Sequence, residues 1–307
     1  MVRFIKARHG HGAFEGKFEM TPVKTAILPV AGFGTRVLPA TKSIPKEMLP
    51  IVDRPAIQYV VDEALDAGIE HICFVTGRNK GAIEDYFDSA YELEEALERK
   101  KKTEILEMLR KMKLPASAST FTRQQSALGL GHAVWCAKAV SKGEPVAVLL
   151  PDVIIKSEKS CLAQMIEAYD EVGGNIIAVD AVPEADVSKY GVISPVKRDG
   201  KLIEMDGMVE KPAVADAPSN LKITGRYILQ PEIFDLLEDQ GPGAGNEIQL
   251  TDAMERLMRT QQFYAFEYEG QDYDCGSIPG YFEAVFAHAA DHPDTAELVK
   301  KLAASVL

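Results

Sequence analysis

The sequence predicts an α/β fold in which helices flank a mostly parallel central β-sheet. Three observations predict it: short and almost wholly apolar runs, amphipathic segments with helical spacing, and a regular alternation between the two. The 307 residues suffice for one large domain or two modest ones with a full hydrophobic core. With 46% hydrophobic and 26% charged residues, the composition argues against a disordered chain, a collagen-like repeat or a coiled coil.

The first half of the chain alternates buried strands with helices. Residues 25–30 form an apolar run that ends in a glycine loop, as expected of a buried parallel strand. A long loop follows to about residue 50, and apolar residues at helical spacing then predict a helix that stops at Gly68. Residues 71–76 and 146–150 are the next buried strands.

The segment from residue 92 to 113 is very rich in charges of both signs. Its leucine and isoleucine residues recur at helical spacing, which predicts a solvated or subunit-facing helical hairpin. The whole chain has 34 basic and 46 acidic residues, a net charge of −12. This acidic excess disfavours nucleic acid and anionic membranes as partners, so local groups must hold any polyanionic ligand.

The second half contains more strands and helices, but the alternation is interrupted after residue 183. The predicted strands are residues 176–182, 192–193, 202–209, 222–229 and 263–268. The predicted helices are residues 162–169, 231–238, 248–258, 281–290 and 295–306. The interruption predicts a second, smaller lobe of mixed strands, followed by C-terminal helices.

The first nineteen residues and the cysteines indicate in which cellular compartment the protein is expected. Residues 1–19 have no apolar h-region, so they do not resemble a secretory signal, and we expect a disordered extension there. No run approaches the roughly 18 apolar residues that a spanning helix needs. The four cysteines are far apart in the sequence and match neither a zinc motif nor a disulfide framework. We therefore expect a cytoplasmic protein with no membrane partner.

The loop after the first strand has the residue types of a phosphate site. Gly32 and Gly34 would let backbone N–H groups approach phosphate oxygens, while Arg36 and Lys46 would counter the charge of a triphosphate. A G-x-G pair alone is equally compatible with a simple turn. Val37 stands where the dinucleotide fingerprint needs a small residue, and no Walker motif is present, so dehydrogenases and Walker-type NTPases are disfavoured.

The strand at residues 146–150 delivers Asp152 at its carboxyl end. In open α/β sheets ligands bind beyond the carboxyl ends of the strands, so this carboxylate is a candidate metal ligand. Taken alone, it is equally compatible with a turn or a helix cap.

Several motifs resemble one enzyme family. They are LPVAGFGTRVLPATKSIPKEMLPIVDRPAIQYVVDEALDAGI, RQQSALGLGHAV, VLLPDVII, YGVIS, MVEKP, PSNLKITGRYIL, GAGNEIQLTDA and YDCGSIPGY. This pattern is similar to that of the sugar-nucleotide pyrophosphorylases, and among them of the bacterial UTP:glucose-1-phosphate uridylyltransferases. The resemblance extends from residue 23 to about residue 290.

The resemblance implies a Rossmann-like, glycosyltransferase-A-like sheet. The implied organisation is an extension over residues 1–19, a catalytic domain over residues 20–290 and a C-terminal helix over residues 291–307. Within the domain, a nucleotide half covers residues 20–183 and a sugar half covers residues 184–290. The family usually self-associates, so a homodimer or homotetramer is implied.

The implied reaction transfers the uridylyl group of UTP to glucose 1-phosphate and yields UDP-glucose and pyrophosphate. An in-line displacement of this kind needs no protein nucleophile, but it needs alignment and charge neutralisation of two anions. By the resemblance, Asp152 and Asp274 hold Mg²⁺, a cation that prefers hard oxygen ligands and substrate phosphates. Asp272 is the alternative to Asp274.

The resemblance also implies the roles of individual residues. Arg36 and Lys46 would steady the β- and γ-phosphates and the leaving pyrophosphate, and Lys211 would hold the sugar phosphate. The nucleotide-binding residues would be Ala31, Gly32, Gly34, Gln124 and Gly129, where Gln124 and Gly129 read uracil and Gln125 is the alternative amide. The sugar-phosphate-binding residues would be Gly191, Glu210, Lys211, Thr224 and Tyr227.

Two other functions are compatible with the same motifs. One is a sister nucleotidyltransferase that uses dTTP or another sugar 1-phosphate, because uracil and thymine differ by one methyl group, worth only about 1–3 kcal/mol in a pocket. The other is a catalytically silent sugar-nucleotide-binding subunit. Such a subunit is expected to lack a metal carboxylate or a phosphate-binding cation, yet all these residues are present here.

Overall fold

The computed structural model describes residues 20–306, so the extension predicted for residues 1–19 lies outside the described residues. The strands are β1 (Thr25–Pro29), β2 (Pro50–Ile51), β3 (Arg54–Pro55), β4 (His71–Thr76), β5 (Ser119–Arg123), β6 (Val146–Leu149), β7 (Val153–Lys156), β8 (Asn175–Ala181), β9 (Gly191–Asp199), β10 (Leu202–Glu210), β11 (Leu221–Leu229), β12 (Phe263–Glu267) and β13 (Gln271–Asp274). The helices are α1 (Ala56–Asp66), α2 (Gly81–Phe87), α3 (Tyr91–Arg99), α4 (Thr103–Met112), α5 (Leu130–Trp135), α6 (Lys138–Ser141), α7 (Cys161–Val172), α8 (Ile233–Glu238), α9 (Leu250–Met258), α10 (Ile278–Ala289) and α11 (Ala296–Val306).

The predicted strands and helices are present, and most of their bounds differ by a few residues. The largest difference is at residues 192–193, where β9 extends over Gly191–Asp199. Strand β4 has the predicted bounds, and the charged segment forms the predicted hairpin of α3 and α4. The elements that were not predicted are strands β2, β3, β5, β7 and β13 and helices α2, α5 and α6. The segments of β5 and β13, STFTR and QDYD, carry too many polar residues to stand out as apolar runs.

The strands β1, β4, β5 and β6 form a parallel block. The sheet has the order β5-β4-β1-β6-β11-β8-β12-β10-β9, and β1 pairs in parallel with both β4 and β6. Beyond β6 the pairing is mixed, because β11 is antiparallel to both neighbours and β10 is antiparallel to β12 and β9. Strands β8 and β12, in contrast, pair in parallel. The prediction of a mostly parallel sheet is therefore right for the first four strands and for the β8–β12 pair, and wrong for the pairings of β11 and β10. An apolar run indicates burial, but the direction of a strand depends on the path of its connection.

The region after residue 183 continues the central sheet. Strands β9 and β10 form an antiparallel hairpin, and β10 pairs with β12 of the central sheet. The predicted smaller lobe of mixed strands is thus an extension of the same sheet. Sequence analysis predicted two strands here, at residues 192–193 and 202–209, from their local pattern, whereas the partner β12 lies more than fifty residues further along the chain.

The two faces of the sheet bury separate hydrophobic clusters. Successive residues of β1 alternate between them: Ile27 contributes to the cluster under α5, α8 and α9, and Leu28 to the cluster under α1 and α7. This alternation follows from the twofold period of a strand, and burial on both faces explains why β1 is apolar after Thr25.

A third, small cluster supports the edge of the sheet where polar residues collect. Strands β7 and β13 form an antiparallel ribbon, and Ile154 and Cys275 pack there with Ile51 and with Ala284 of α10. This packing fixes the strands that carry Asp152 and Asp274 at their ends. Over residues 20–306, no helix is both long and apolar enough to cross a membrane.

Candidate active site

The loops after β1 and β6 meet at one edge of the sheet, as predicted. Strands β1 and β6 are parallel neighbours, so their carboxyl ends lie side by side. Lys46 Nζ from the first loop donates a hydrogen bond to Asp152 Oδ2 from the second at 2.5 Å. The two loops singled out in the sequence therefore form one site.

The glycine loop turns sharply before it presents Arg36. Gly34 has a φ of +67°, in the left-handed region, and a Cβ there would lie 3.2 Å from Thr41 Cβ. The Thr41 hydroxyl donates to the Gly34 carbonyl at 2.7 Å. After this turn, a short 3-10 helix (Thr35–Val37) projects Arg36 outwards, with 61% of its side chain exposed. Position 34 therefore requires glycine because of its left-handed backbone conformation and because of the limited space beside Thr41.

Lys46 is held next to a buried ion pair. The adjacent Glu47 is 1% exposed and accepts a hydrogen bond from Lys80 Nζ at 2.7 Å, with Lys80 also buried. Burial raises the pKa of Glu47, against the opposing effects of Lys80 and Lys46. This pair anchors the 3-10 helix (Lys46–Met48) to the loop after β4 and so limits the positions that Lys46 can take.

Two carboxylates and one guanidinium converge beside Gly276. Arg36 Nη2 lies 3.6 Å from Asp152 Oδ2, and Arg36 Nη1 lies 3.5 Å from Asp274 Oδ2. A Cβ at Gly276 would lie 2.8 Å from an oxygen of each carboxylate and 2.5 Å from the guanidinium. Only a residue without a side chain leaves this arrangement undisturbed.

The pKa of Asp152 lies below its ordinary value. Burial by itself would raise it, but the charge and hydrogen bond of Lys46, together with Arg36, outweigh this effect. For Lys46, burial would lower the pKa, and Asp152 and Glu47 outweigh it so that the pKa is raised. Both groups are therefore charged at neutral pH, and the site keeps an ionised carboxylate beside two cations.

The two carboxylates fit a Mg²⁺ ion that is held partly by substrate. Among the described residues, no group of three or more His, Cys, Asp and Glu side chains could hold a metal ion. A pair of convergent carboxylate oxygens is nevertheless the usual protein contribution to a Mg²⁺ site, in which substrate phosphates and water supply the other ligands. The donor chemistry of Asp152 and Asp274 therefore fits the cation.

Asp272, the alternative ligand, is engaged elsewhere. Its two carboxylate oxygens accept hydrogen bonds from Lys222 Nζ at 2.8 and 2.7 Å, and Oδ1 also accepts one from the Tyr268 hydroxyl. Sequence analysis did not single out Lys222. A lysine within the apolar strand β11 could have indicated a buried charge, but its partner Asp272 lies fifty residues further along the chain.

The sugar-phosphate candidates surround one cavity together with the carboxylates. This cavity of about 300 Å³ is lined by Arg36, Asp152 and Asp274 as well as by the candidates Gly191, Glu210, Lys211, Thr224 and Tyr227. Lys222 and Thr251 also line it. Five residues from β9, β10, β11 and the position after β10, predicted to share a pocket, therefore do so.

The geometry of β9 and β10 explains two of these residues. Gly191 pairs with Glu210, and a Cβ at Gly191 would lie 2.9 Å from Glu210 Oε2. Lys211 follows directly with a φ of +49°, and its N–H donates to the Tyr190 carbonyl at 3.0 Å. This left-handed residue ends the strand at the cavity, and 63% of the Lys211 side chain is exposed.

Gln124 and Gly129 lie together, but neither lines this cavity. Gln124 Nε2 donates to the Gly129 carbonyl at 3.0 Å, and it lies 3.1 Å from His132 Nδ1. Gly129 has a φ of +98° and packs closely on Ile248. Gln124 is buried, whereas the alternative Gln125 is exposed, so the two amides differ clearly in their surroundings.

Comparisons with known proteins identify the family of this chain. The nucleotidyl transferase family model matches residues 25–290. A protein from Staphylococcus saprophyticus, named UTP–glucose-1-phosphate uridylyltransferase 2, is 49% identical over 287 residues, which cover 92% of this chain and 99% of the relative.

Two solved structures are similar over most of the chain. A UTP-bound UGPase from Acinetobacter baumannii has 45% identity and a TM-score of 0.87, covering 93% of this chain and all of the other. A UDP-glucose pyrophosphorylase complexed with UDP-glucose has 43% identity and a TM-score of 0.81, covering 88% of this chain and all of the other. These matches confirm the resemblance seen in the sequence: the chain belongs to the nucleotidyl transferase family and, within it, to the UTP–glucose-1-phosphate uridylyltransferases.

Proposed function

We propose that this chain transfers the uridylyl group of UTP to glucose 1-phosphate, forming UDP-glucose and releasing pyrophosphate. A phosphate oxygen of the sugar attacks the α-phosphorus, a new P–O bond forms, and the bond from the α-phosphorus to the bridging oxygen of pyrophosphate breaks. The observation that carries this proposal is the convergence of Arg36, Lys46, Asp152 and Asp274 at the mouth of a cavity lined by Glu210 and Lys211.

The cations act on the phosphate groups. The Arg36 side chain is long and largely exposed, so its guanidinium can reach from the glycine loop to the β- and γ-phosphates. Lys46 is held by Glu47 and Asp152 and would neutralise charge on the leaving pyrophosphate. Backbone groups of Ala31, Gly32 and Gly34 would lie along the triphosphate.

The opposite wall of the cavity would hold the sugar phosphate. Lys211 binds the phosphate, Glu210 accepts hydrogen bonds from sugar hydroxyls, and Gly191 leaves room for the ring. Thr224 and Tyr227 complete this wall as buried residues of β11. Two anions are thereby aligned for in-line attack, which is the main catalytic task of such a site.

Uracil would be read by Gln124 and Gly129, which lie beside each other after β5. Support for Gln124 over Gln125 comes from its burial and from its contact with Gly129. A buried amide binds well only to a partner with the complementary pattern of donors and acceptors, because an unsatisfied buried group is costly. Base recognition requires such a distinction.

Asp152 and Asp274 would hold Mg²⁺. When bound there, the ion supplies charge neutralisation and orientation for the substrate phosphates. The protein itself keeps Asp152 ionised and holds the two carboxylates close together. The lowered pKa of Asp152 and the contacts beside Gly276 support this role.

The parallel block β5-β4-β1-β6 supports a Rossmann-like, glycosyltransferase-A-like description of the fold. We assign a nucleotide half to residues 20–183, a sugar half to residues 184–290 and a C-terminal helical segment from residue 291. Free thiols at all four cysteines support a reducing cytoplasm. The exposed apolar residues of α10, among them Phe282, support a homodimer or homotetramer.

Pyrophosphate release with glucose 1-phosphate and Mg²⁺ across UTP, dTTP, ATP, CTP and GTP tests the reaction directly. We expect clear selectivity for UTP. A preference for dTTP would contradict the choice of base. Absence of turnover in a folded protein that binds UDP-glucose would contradict the enzymatic proposal as a whole.

Gly276→Ala tests the convergence of charges without altering any of them. The added methyl group displaces the ends of flexible side chains, so we expect little loss of stability, within about 0.5 kcal/mol. Misplacement of reacting groups by about 1 Å can cost a hundredfold in rate, so we expect a fall in kcat of about that size.

Gly81→Ala is the matched control for Gly276→Ala, since nothing lies within 4 Å of a Cβ at Gly81. Thermal melts and pyrophosphate release should separate the two variants. Wild-type kcat in Gly276→Ala would show that turnover does not require the observed arrangement of Arg36, Asp152 and Asp274.

A further inference from the structure

Arg226 is a fully buried cation in the middle of strand β11, and the roles assigned above do not involve it. It is 0% exposed and lies opposite Leu149 in the pairing of β11 with β6. Its charge is matched by Glu63 of α1, which lies at 2.8 to 3.1 Å and is itself buried. Burial of an ion pair of this kind is costly unless the remaining polar atoms are also satisfied.

Every N–H of the guanidinium has an acceptor. Nε and Nη2 donate to Glu63, Nη1 donates to the carbonyls of Leu150 at 3.1 Å and Gly225 at 3.2 Å, and Nη2 donates to the Val153 carbonyl at 2.8 Å. The planar fork of arginine has five donors, so all are used.

The carbonyls of Leu150 and Val153 are the two ends of the turn that carries Asp152. The turn is closed by its own hydrogen bond from the Val153 N–H to the Leu150 carbonyl at 3.3 Å. The Leu150 N–H also donates to the Gly225 carbonyl at 2.9 Å. Strand β11 therefore holds this turn through its backbone and through Arg226, on both sides of Asp152.

Glu63 extends the contacts to a further element. Its Oε1 atom accepts a hydrogen bond from the Leu162 N–H, in the first turn of α7, at 3.2 Å. The ion pair thus connects α1, β11, α7 and the turn after β6. Neither Arg226 nor Glu63 lines the cavity, whereas their partners Leu150, Val153 and Gly225 do. The pair therefore acts on substrate through the backbone that it holds on both sides of Asp152.

We propose that Arg226, held by Glu63, is a positioning residue that sets the orientation of Asp152 for metal and phosphate binding. The proposal rests on the function assigned to Asp152 above. Lysine at position 226 keeps the charge but cannot donate to both carbonyls and to Glu63 with the same geometry. Loss of the fork should therefore alter the Asp152 turn while the charge remains paired.

The test compares the full-length wild type with Arg226→Lys and with Asn175→Ala as a matched control. Asn175 is also a fully buried polar residue, bonded to Gln230 and Gln261, but it lies at the start of β8, away from the Asp152 turn. The readouts are kcat, both KM values, the Mg²⁺ concentration for half-maximal rate, thermal melting, and Mn²⁺ binding in the presence of UDP-glucose without turnover.

For Arg226→Lys we expect kcat and Mn²⁺ affinity to fall about tenfold or more, in line with other residues that support metal ligands. The KM for glucose 1-phosphate should change less than about threefold, because Glu210 and Lys211, which are assigned to the sugar hydroxyls and the phosphate, belong to β10 and the residue after it, and only the wall residues Thr224 and Tyr227 share β11 with Arg226. Asn175→Ala should lose melting temperature but retain its kcat and Mn²⁺ affinity. Wild-type kcat and Mn²⁺ affinity in folded Arg226→Lys, or parallel losses in both variants, would overturn the proposal.

If Arg226→Lys does not fold, the double variant Glu63→Gln/Arg226→Gln removes both buried charges together and is subject to the same expectations. Asp152→Asn is measured in parallel. Wild-type turnover in Asp152→Asn would refute the function assigned to that carboxylate, whereas a loss there without one in the Arg226 variants would refute the positioning role alone.

Discussion

Replacement of Asp152 by asparagine is expected to lower kcat about a hundredfold to a thousandfold while part of the UTP binding remains. Asparagine is nearly isosteric and can still accept a hydrogen bond from Lys46, but it has no charge to hold a cation. The metal stabilises the transition state more than the ground state, so turnover should fall further than binding. Pyrophosphate release measures turnover, and calorimetry with UTP measures binding.

The matched control for this variant is Asp170→Asn, which replaces an exposed carboxylate on α7 that does not line the cavity. It should behave as wild type in both measurements. A kcat for Asp152→Asn close to that of the control would exclude Asp152 as a metal ligand.

Replacement of Lys211 by alanine is expected to raise the KM for glucose 1-phosphate about tenfold to a hundredfold, the range expected for loss of a charged hydrogen bond. The effect on the KM for UTP should be smaller, because the triphosphate is assigned to Arg36 and Lys46 on the other wall. Lys211 has a φ of +49°, which alanine can adopt at a similar cost, so the backbone should change little. Initial rates over both substrate concentrations separate the two effects.

Lys197→Ala is the control for Lys211→Ala. This exposed lysine lies on the same hairpin and pairs with Glu204, outside the cavity lining. It should leave both KM values unchanged. An equal rise of the two KM values in Lys211→Ala would show that this lysine does not contact the sugar phosphate specifically.

The parts of the fold that were predictable from the sequence are those with a short-range cause. Strand β4 is a run of six residues, five of them buried, and α1 has its apolar residues at helical spacing, so a window of about ten residues identifies each. Strand β13 has the sequence QDYD and owes its structure to pairing with β7 more than a hundred residues earlier. No local pattern indicates such a strand.

The candidate site divides in the same way. Gly34 and Arg36 lie in one short motif, so their sequence already indicates a phosphate loop. The mutual placement of Asp152 and Asp274 beside Gly276 required the β7–β13 ribbon to form. Asp272 and Asp274 are alternatives in the sequence, and their tertiary contacts distinguish them: Asp272 contacts Lys222, whereas Asp274 contacts Arg36.

By itself, the sequence determined the buried strands, the charged hairpin, the glycine loop and the family to which they belong. Tertiary structure alone decided the strand directions beyond β6 and the partners of the buried charges, among them Arg226 with Glu63, 163 residues apart. The physical reason is that apolar periodicity and turn chemistry act over a few residues. A buried charge, in contrast, is stable only beside a partner that the complete chain path brings to it.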